Sequence, residues 1–283
     1  MPTQGLTDIF TQHAKYQDSV LEAFYGHLVD IVQRAQGHTL AKLSKLLVLD
    51  YKDQLLGTAA NFRVLKKLPD ILSAELDLAG YGRLATAWTN QFSQQLPFLQ
   101  DVIEGLSKEL VTPLPKLELG VADTKLLESV RAGSITSMDA VMDAAGTQAM
   151  QRALFAVGGL PFRDMTDLLA SGLSRSIPQA RTIADTSQNV FFRTASDMQF
   201  KRIESAYPKE QRLYIYSGPD DKITRPFCHR LLSRKRPFMR AEIDELDNGQ
   251  LPNVWLTGGG WNCRHNFYLD VRSIQKDQAR AAA

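Results

Sequence analysis

The sequence predicts a mostly α-helical protein, an elongated helical body carrying a small C-terminal α+β module. Three observations predict it. Apolar residues recur at steps of three and four almost continuously to about residue 206. A period of two appears only beyond that point. Both cysteines and two of the five histidines fall in the last quarter of the chain. The 283 residues are 44% hydrophobic and 23% charged, the balance of a chain that folds around a core. The net charge of +2 gives no global pull toward nucleic acid or membrane. No stretch is long and apolar enough to span a bilayer. The N-terminus, "MPTQGLTDIFTQHAKYQ", lacks a basic region followed by an apolar run, so no secretion signal is expected.

Residues 1–110 form the first region. Leu6, Ile9, Phe10, His13, Tyr16, Val20, Phe24, Leu28 and Ile31 share one helical face. Thr7 is placed to cap this helix and Gly37 to end it. "TLAKLSKLLVLDYKDQLLGTAANF" reads as a second helix. A third and fourth run from "LPDIL" to "GLSKEL", with Pro69 and Pro97 starting or breaking them. Phe24, Phe62, Trp88, Phe92 and Phe98 are expected in the core.

Residues 111–121 carry two prolines and no helical period, as a linker does. The central helical region, 122–208, divides at its glycines and prolines. Asp123 is placed as an N-cap, with stops expected near Gly133, at the Gly158–Gly159 pair and at Pro208. Pro161 suits a first helical turn. The longest helix, from "IPQAR" to "IESAY", carries Ile183, Val190, Phe191, Thr194 and Met198 along a stripe.

Residues 209–272 form the α+β module. "RLYIYSGP" alternates apolar and aromatic residues and runs into a turn. "KRPF", "NVWLTGGG" and "HNFYLDVRS" are further strands, with "RAEIDELDNG" a short helix. Residues 273–283 read as a flexible, fraying tail.

The module concentrates the chemistry. Cys228, His229, Cys263 and His265 are a candidate zinc set, two thiols and two imidazoles. On a strand Cys263 and His265 share a face. Cys228 and His229 are neighbours whose side chains diverge, and the spacing is not that of a zinc finger. A Cys228–Cys263 disulfide is a second reading. In a third, the cysteines pack as small hydrophobes with His265 hydrogen-bonded at the surface. A thiolate paired with His229 or His265 would be a nucleophile, and Asp220, Asp221 and His265 would suit a metal-dependent nuclease. From Arg225 to Arg240 there are six basic residues and no acid. Arg230, Arg234, Lys235 and Arg236 could thus meet DNA phosphates, or form a solvated face paired with the acidic "AEIDELD" that follows.

The order of these parts resembles the phage Mu F-like minor head proteins, the phage head morphogenesis family. "YSGPDDKITRPFC" and "GGGWNCRH" correspond to its two motifs through Tyr216, Gly218, Asp221, Thr224, Arg225, Cys228, Asn262, Cys263 and Arg264. "IADTS" keeps Ile183, Ala184 and Thr186 of the family's "IARTE". His265 stands where the family often has cysteine, and Trp261 where it has proline. The resemblance spans roughly residues 120–270. It implies a minor capsid protein of a tailed phage, a structural protein contacting portal and capsid proteins near the portal vertex. Such a protein serves head assembly or genome delivery and can touch packaged DNA. The contrasting expectation is a virion enzyme, a cysteine hydrolase or nuclease built on the same module.

Overall fold

A computed structural model describes residues 4–108, 110–157, 161–207, 212–234 and 236–281. It is mostly helical with a small antiparallel sheet near the C-terminus, as the sequence predicts. The chain forms two compact units. The first takes Met1–Val20, Asn90–Gly133 and Asp185–Ala283; the second takes Leu21–Thr89 and Ser134–Ala184. These units cut across the boundaries drawn from sequence. The expected linker is part of the first unit: Leu114 N–H donates to Ser107 Oγ at 3.1 Å, Leu117 N–H donates to Gln100 Oε1 at 3.0 Å, and Pro115 O accepts from Gln199 at 2.6 Å.

Helix α1, Gln4–Leu46, is one helix. It begins before Thr7 and passes through Gly37. A mid-helix glycine costs only about 1 kcal/mol, and the buried row Leu28, Ile31, Ala35 and Leu43 continues past it. The expected second helix is divided: residues 39–46 complete α1, and helix resumes at α2, Ala59–Lys66, capped by Thr58 Oγ1 accepting from Asn61 N–H at 3.2 Å. Three helices follow where two are expected. They are α3 (Leu68–Ala79), α4 (Tyr81–Ser93) and α5 (Gln95–Ser107). Pro69 lies in the first turn of α3, and left-handed Gly80 (φ 106°) closes that helix.

Helix α6, Val121–Ala156, runs through the stop expected near Gly133, and α7, Phe162–Ala206, joins the "IPQAR" helix to the one expected before it. Asp123 is not an N-cap; it lies in the first turn of α6 and accepts from Gly120 N–H at 2.9 Å. Gly133 lies inside α6 and Pro178 inside α7. Gly158, Gly159 and Pro208 lie outside the described residues. Two other glycines serve close helix packing in the second unit. A Cβ on Gly146 would stand 3.2 Å from Leu72, and one on Gly172 would stand 3.2 Å from the Ala145 carbonyl.

Phe24 and Trp88 pack together in the second unit, with ring centroids 4.7 Å apart. Phe62 is 38% exposed and is not a core residue, and Phe98 is only half-buried. In the first unit Phe10 stacks on Tyr268 and Phe92 packs on Phe191. Along the stripe expected on α7, Phe191, Thr194 and Met198 are buried and Ile183 and Val190 half-buried. The helix is enclosed beyond that stripe, because Gln188, Asn189, Arg193 and Gln199 are buried too.

The sheet has order β2-β1-β3, with β1 Leu213–Ser217, β2 Phe238–Met239 and β3 Asn266–Leu269. Strand β1 pairs antiparallel with both neighbours, Tyr214 opposite Phe238 and Leu269. Between the strands lie α8 (Pro226–Ser233), α9 (Arg240–Asp244) and α10 (Val254–Thr257). "NVWLTGGG" is therefore helix and loop rather than strand. Asn253 adopts the left-handed conformation (φ 58°) and caps α10, and the Trp255 indole N–H donates to Asp197 Oδ1 at 2.7 Å. The expected tail is helical as α11, Arg272–Ala281. Among the described residues no helix is long and apolar enough to cross a membrane.

Candidate metal centre

The two cysteine-bearing segments meet inside the first unit. Strand β1 delivers Tyr216, α8 delivers Cys228 in its first turns, and the loop from α10 into β3 delivers Cys263 and His265. Cys228 Sγ lies 3.8 Å from Cys263 Sγ, and Cys263 Sγ lies 3.8 Å from His265 Nδ1. Both thiols are free. The ligand atoms of Cys228, Cys263 and His265 all lie within 4.8 Å of one another, so the group can hold a metal ion. All three residues are at most 4% exposed.

The imidazole is oriented for this. Its Nε2 donates to the Pro219 carbonyl at 2.8 Å, which turns Nδ1 toward the sulfurs. Tyr216 stacks on the ring with centroids 5.3 Å apart, and its hydroxyl lies 3.3 Å from Cys228 Sγ and 3.7 Å from Cys263 Sγ. Burial raises the Tyr216 hydroxyl far above its ordinary pKa, so it stays protonated. The Cys228 thiol pushes Cys263 toward the thiolate by hydrogen bonding to it, His265 and the Arg193 charge act the same way, and burial opposes them. The same hydrogen bond, with burial, holds Cys228 up as a thiol.

The "TGGGW" glycines are explained by this closure. Gly259 N–H donates to Cys263 Sγ at 2.9 Å. A Cβ on Gly259 would collide with Cys228 Sγ, and one on Gly258 would stand 2.8 Å from Cys263 Sγ. Gly258 also has φ 58°, where a side chain is strained.

The remaining motif residues brace the same loops. Gly218 passes so close to His265 that a Cβ would stand 2.9 Å from its Cα. Thr224 Oγ1 donates to Pro219 O at 3.0 Å and accepts from Asp221 N–H at 2.9 Å. Arg264 donates to both Asp221 carboxylate oxygens at 2.8 and 2.7 Å, which holds that carboxyl below its ordinary range. Arg225 donates to Gly259 O at 2.9 Å and to Gln250 Oε1 at 2.6 Å. Asn262 is left-handed (φ 56°), and its N–H donates to Thr186 Oγ1 at 3.0 Å.

Other site expectations separate. His229 is exposed and pairs with Asp220 at 3.0 Å, away from the thiols, because adjacent residues of α8 point in different directions. His265 is buried, not at the surface. Asp220, Asp221 and His265 do not converge: Asp220 faces His229, Asp221 faces Arg264, and His265 faces Cys263. In the basic run, Arg236 pairs with Glu242 at 2.6 Å and Arg240 with Asp197 and Asp244. The Arg230 guanidinium lies over the Phe227 ring and that of Arg234 over Phe238. Lys235 lies outside the described residues.

Arg193, on α7, is the residue that sequence reading missed. Only 3% exposed, it donates to His265 O, Asn266 Oδ1, Leu256 O and Cys263 O. Its one sequence signal is an arginine set directly after Phe191 and Phe192. Burial raises the nearby Asp185 carboxyl to about 6, against the pull of the Arg193 charge.

No protein family, curated protein or solved structure matches the chain.

Proposed function

We propose that this chain is a minor capsid protein of a tailed phage, acting near the portal in head assembly or genome delivery, with its C-terminal module locked by a structural zinc ion. The observation that carries the reading is the 3.8 Å approach of Cys228 Sγ to Cys263 Sγ. It joins the two motifs whose order resembles the Mu F-like head proteins, and each motif residue either lines that contact or braces the loops around it.

The donors fit zinc in kind. Two cysteine sulfurs, which bind zinc as thiolates, and an imidazole are soft and borderline ligands, and the imidazole has its second nitrogen committed to a carbonyl. Cys228, Cys263 and His265 would hold the ion, which would supply a cross-link between α8 and the loop entering β3. Burial supports a structural role over an enzymatic one, because a nucleophile needs a substrate path to its sulfur. Arg230 and Arg234 would offer sequence-blind contact with packaged DNA, and portal and capsid proteins are the expected partners.

Immunogold labelling and sedimentation of phage particles from the source lysate test the assignment. The chain should co-sediment with DNA-filled heads, with label at a single vertex. Recovery only in the soluble fraction, with intact heads free of it, would overturn the reading.

A further inference from the structure

Five of the twelve large hydrophobic side chains exposed among the described residues fall within residues 46–62, where α1 gives way to α2: Leu46, Val48, Tyr51, Leu56 and Phe62. Single exposed apolar residues are ordinary, whereas a cluster marks an interaction surface. This one belongs wholly to the second unit. The segment that carries it is held in place. Asn61 is fully buried, and its side chain accepts from Val48 N–H and donates to Val48 O and Leu56 O, each at 2.8 Å. Leu56 N–H donates to Val48 O at 3.2 Å, which ties the two exposed residues together. Leu55 turns inward and is 1% exposed, so its neighbour Leu56 faces out. Asp50 Oδ1 accepts from the N–H groups of Lys52 and Gln54 at 2.7 and 2.9 Å, and Phe162 N–H donates to Asp53 O at 2.9 Å. Tyr51, 90% exposed, stands in the turn so fixed.

Cations accompany the cluster. Residues 45–67 carry Lys45, Lys52, Arg63, Lys66 and Lys67 against Asp50 and Asp53 alone. All five cations are exposed, and among the described residues none of them has an ion pair, whereas Lys42 just before them pairs with Glu75. We propose that this surface docks on an anionic lipid bilayer, its apolar side chains entering the headgroup boundary and its cations meeting acidic headgroups. Apolar area and charge attraction together set such binding, and no spanning helix is needed. The composition favours a bilayer over an acidic protein. Protein interfaces are depleted in lysine and enriched in arginine, whereas four of these five cations are lysine. A lysine stem lies along apolar matter while its ammonium stays in water, and a tyrosine ring with its polar tip suits the headgroup level. The proposal does not depend on the virion reading.

Co-sedimentation of the full chain with phosphatidylcholine vesicles, and with vesicles of equal parts phosphatidylcholine and phosphatidylglycerol, tests it. Binding to the anionic vesicles alone is expected, with release at high salt. Lys52→Gln should weaken it about fivefold, and Tyr51→Ser about tenfold. Both side chains are exposed, so both variants should melt with the parent. Leu78→Ser, at an exposed position of the same unit outside the cluster, should bind as the parent does. The proposal is overturned if vesicle charge makes no difference, if either Lys52→Gln or Tyr51→Ser binds as the parent does, or if Leu78→Ser weakens binding as much as they do. Binding to soluble poly-glutamate as tight as to the anionic vesicles, and indifferent to Tyr51→Ser, would assign the surface to an acidic protein and overturn it too.

Discussion

Arg193 holds the main chain of His265: its Nε and Nη2 donate to the His265 carbonyl at 3.1 and 2.8 Å. One buried guanidinium on α7 thus fixes the segment that presents the imidazole and, through the Cys263 carbonyl, the thiol two residues before it. A planar fork of donors does this where a single ammonium cannot.

Replacing that fork should be costly. Arg193→Met leaves several buried carbonyls without donors and is expected to lower unfolding stability by about 3 kcal/mol or more. Arg193→Lys should recover only part of the loss. Urea midpoints at constant m-value measure both. A loss below about 0.5 kcal/mol for Arg193→Met, the range of an ordinary surface change, would remove Arg193 from the account.

Two glycines should respond with opposite sign. Gly259→Ala puts a methyl group into the space of Cys228 Sγ and should cost about 2 kcal/mol. Gly133 lies mid-helix with nothing within 4 Å of its would-be Cβ, so Gly133→Ala should stabilise by about 0.5–1 kcal/mol. Thermal melts of the two variants read the contrast directly. Equal shifts in one direction would contradict it.

His13 gives a pH signature. It is buried against Phe98 and Phe192 and bonded to the Gln95 amide oxygen, and burial lowers its pKa from 6.5 to about 4. The unfolded chain therefore binds a proton that the folded chain refuses between those values. Stability is complete above pH 6.5, falls as the pH drops through this window, and levels off below about 4. The full effect is about 3 kcal/mol. Comparing urea midpoints of the parent and His13→Gln between pH 7 and 4 isolates it. The parent should lose more stability than the variant over that range, and parallel curves would refute the assignment.

The apolar row of α1 and the alternation of β1 were legible in the sequence because each is a local period that burial enforces. Helix ends were not. Gly37 and Gly133 read as stops but lie inside α1 and α6, because burial of the rows on either side carries each helix through. The meeting of Cys228 with Cys263 was legible through the motif pair. The choice of His265 over His229 was half-legible, since alternation set Cys263 and His265 on one face while adjacency set His229 apart from Cys228. Arg193 left almost no mark, because most of its partners are main-chain atoms and all lie some sixty to seventy residues away.

In the proposed state, Cys228, Cys263 and His265 close the module around one ion. Elemental analysis of the full chain, purified without chelators from zinc-supplemented medium, tests it most directly. One zinc per chain is expected in the parent and in His229→Ala, with loss of the metal in Cys263→Ser. A metal-free parent, or a metal lost with His229→Ala and kept in Cys263→Ser, would contradict it.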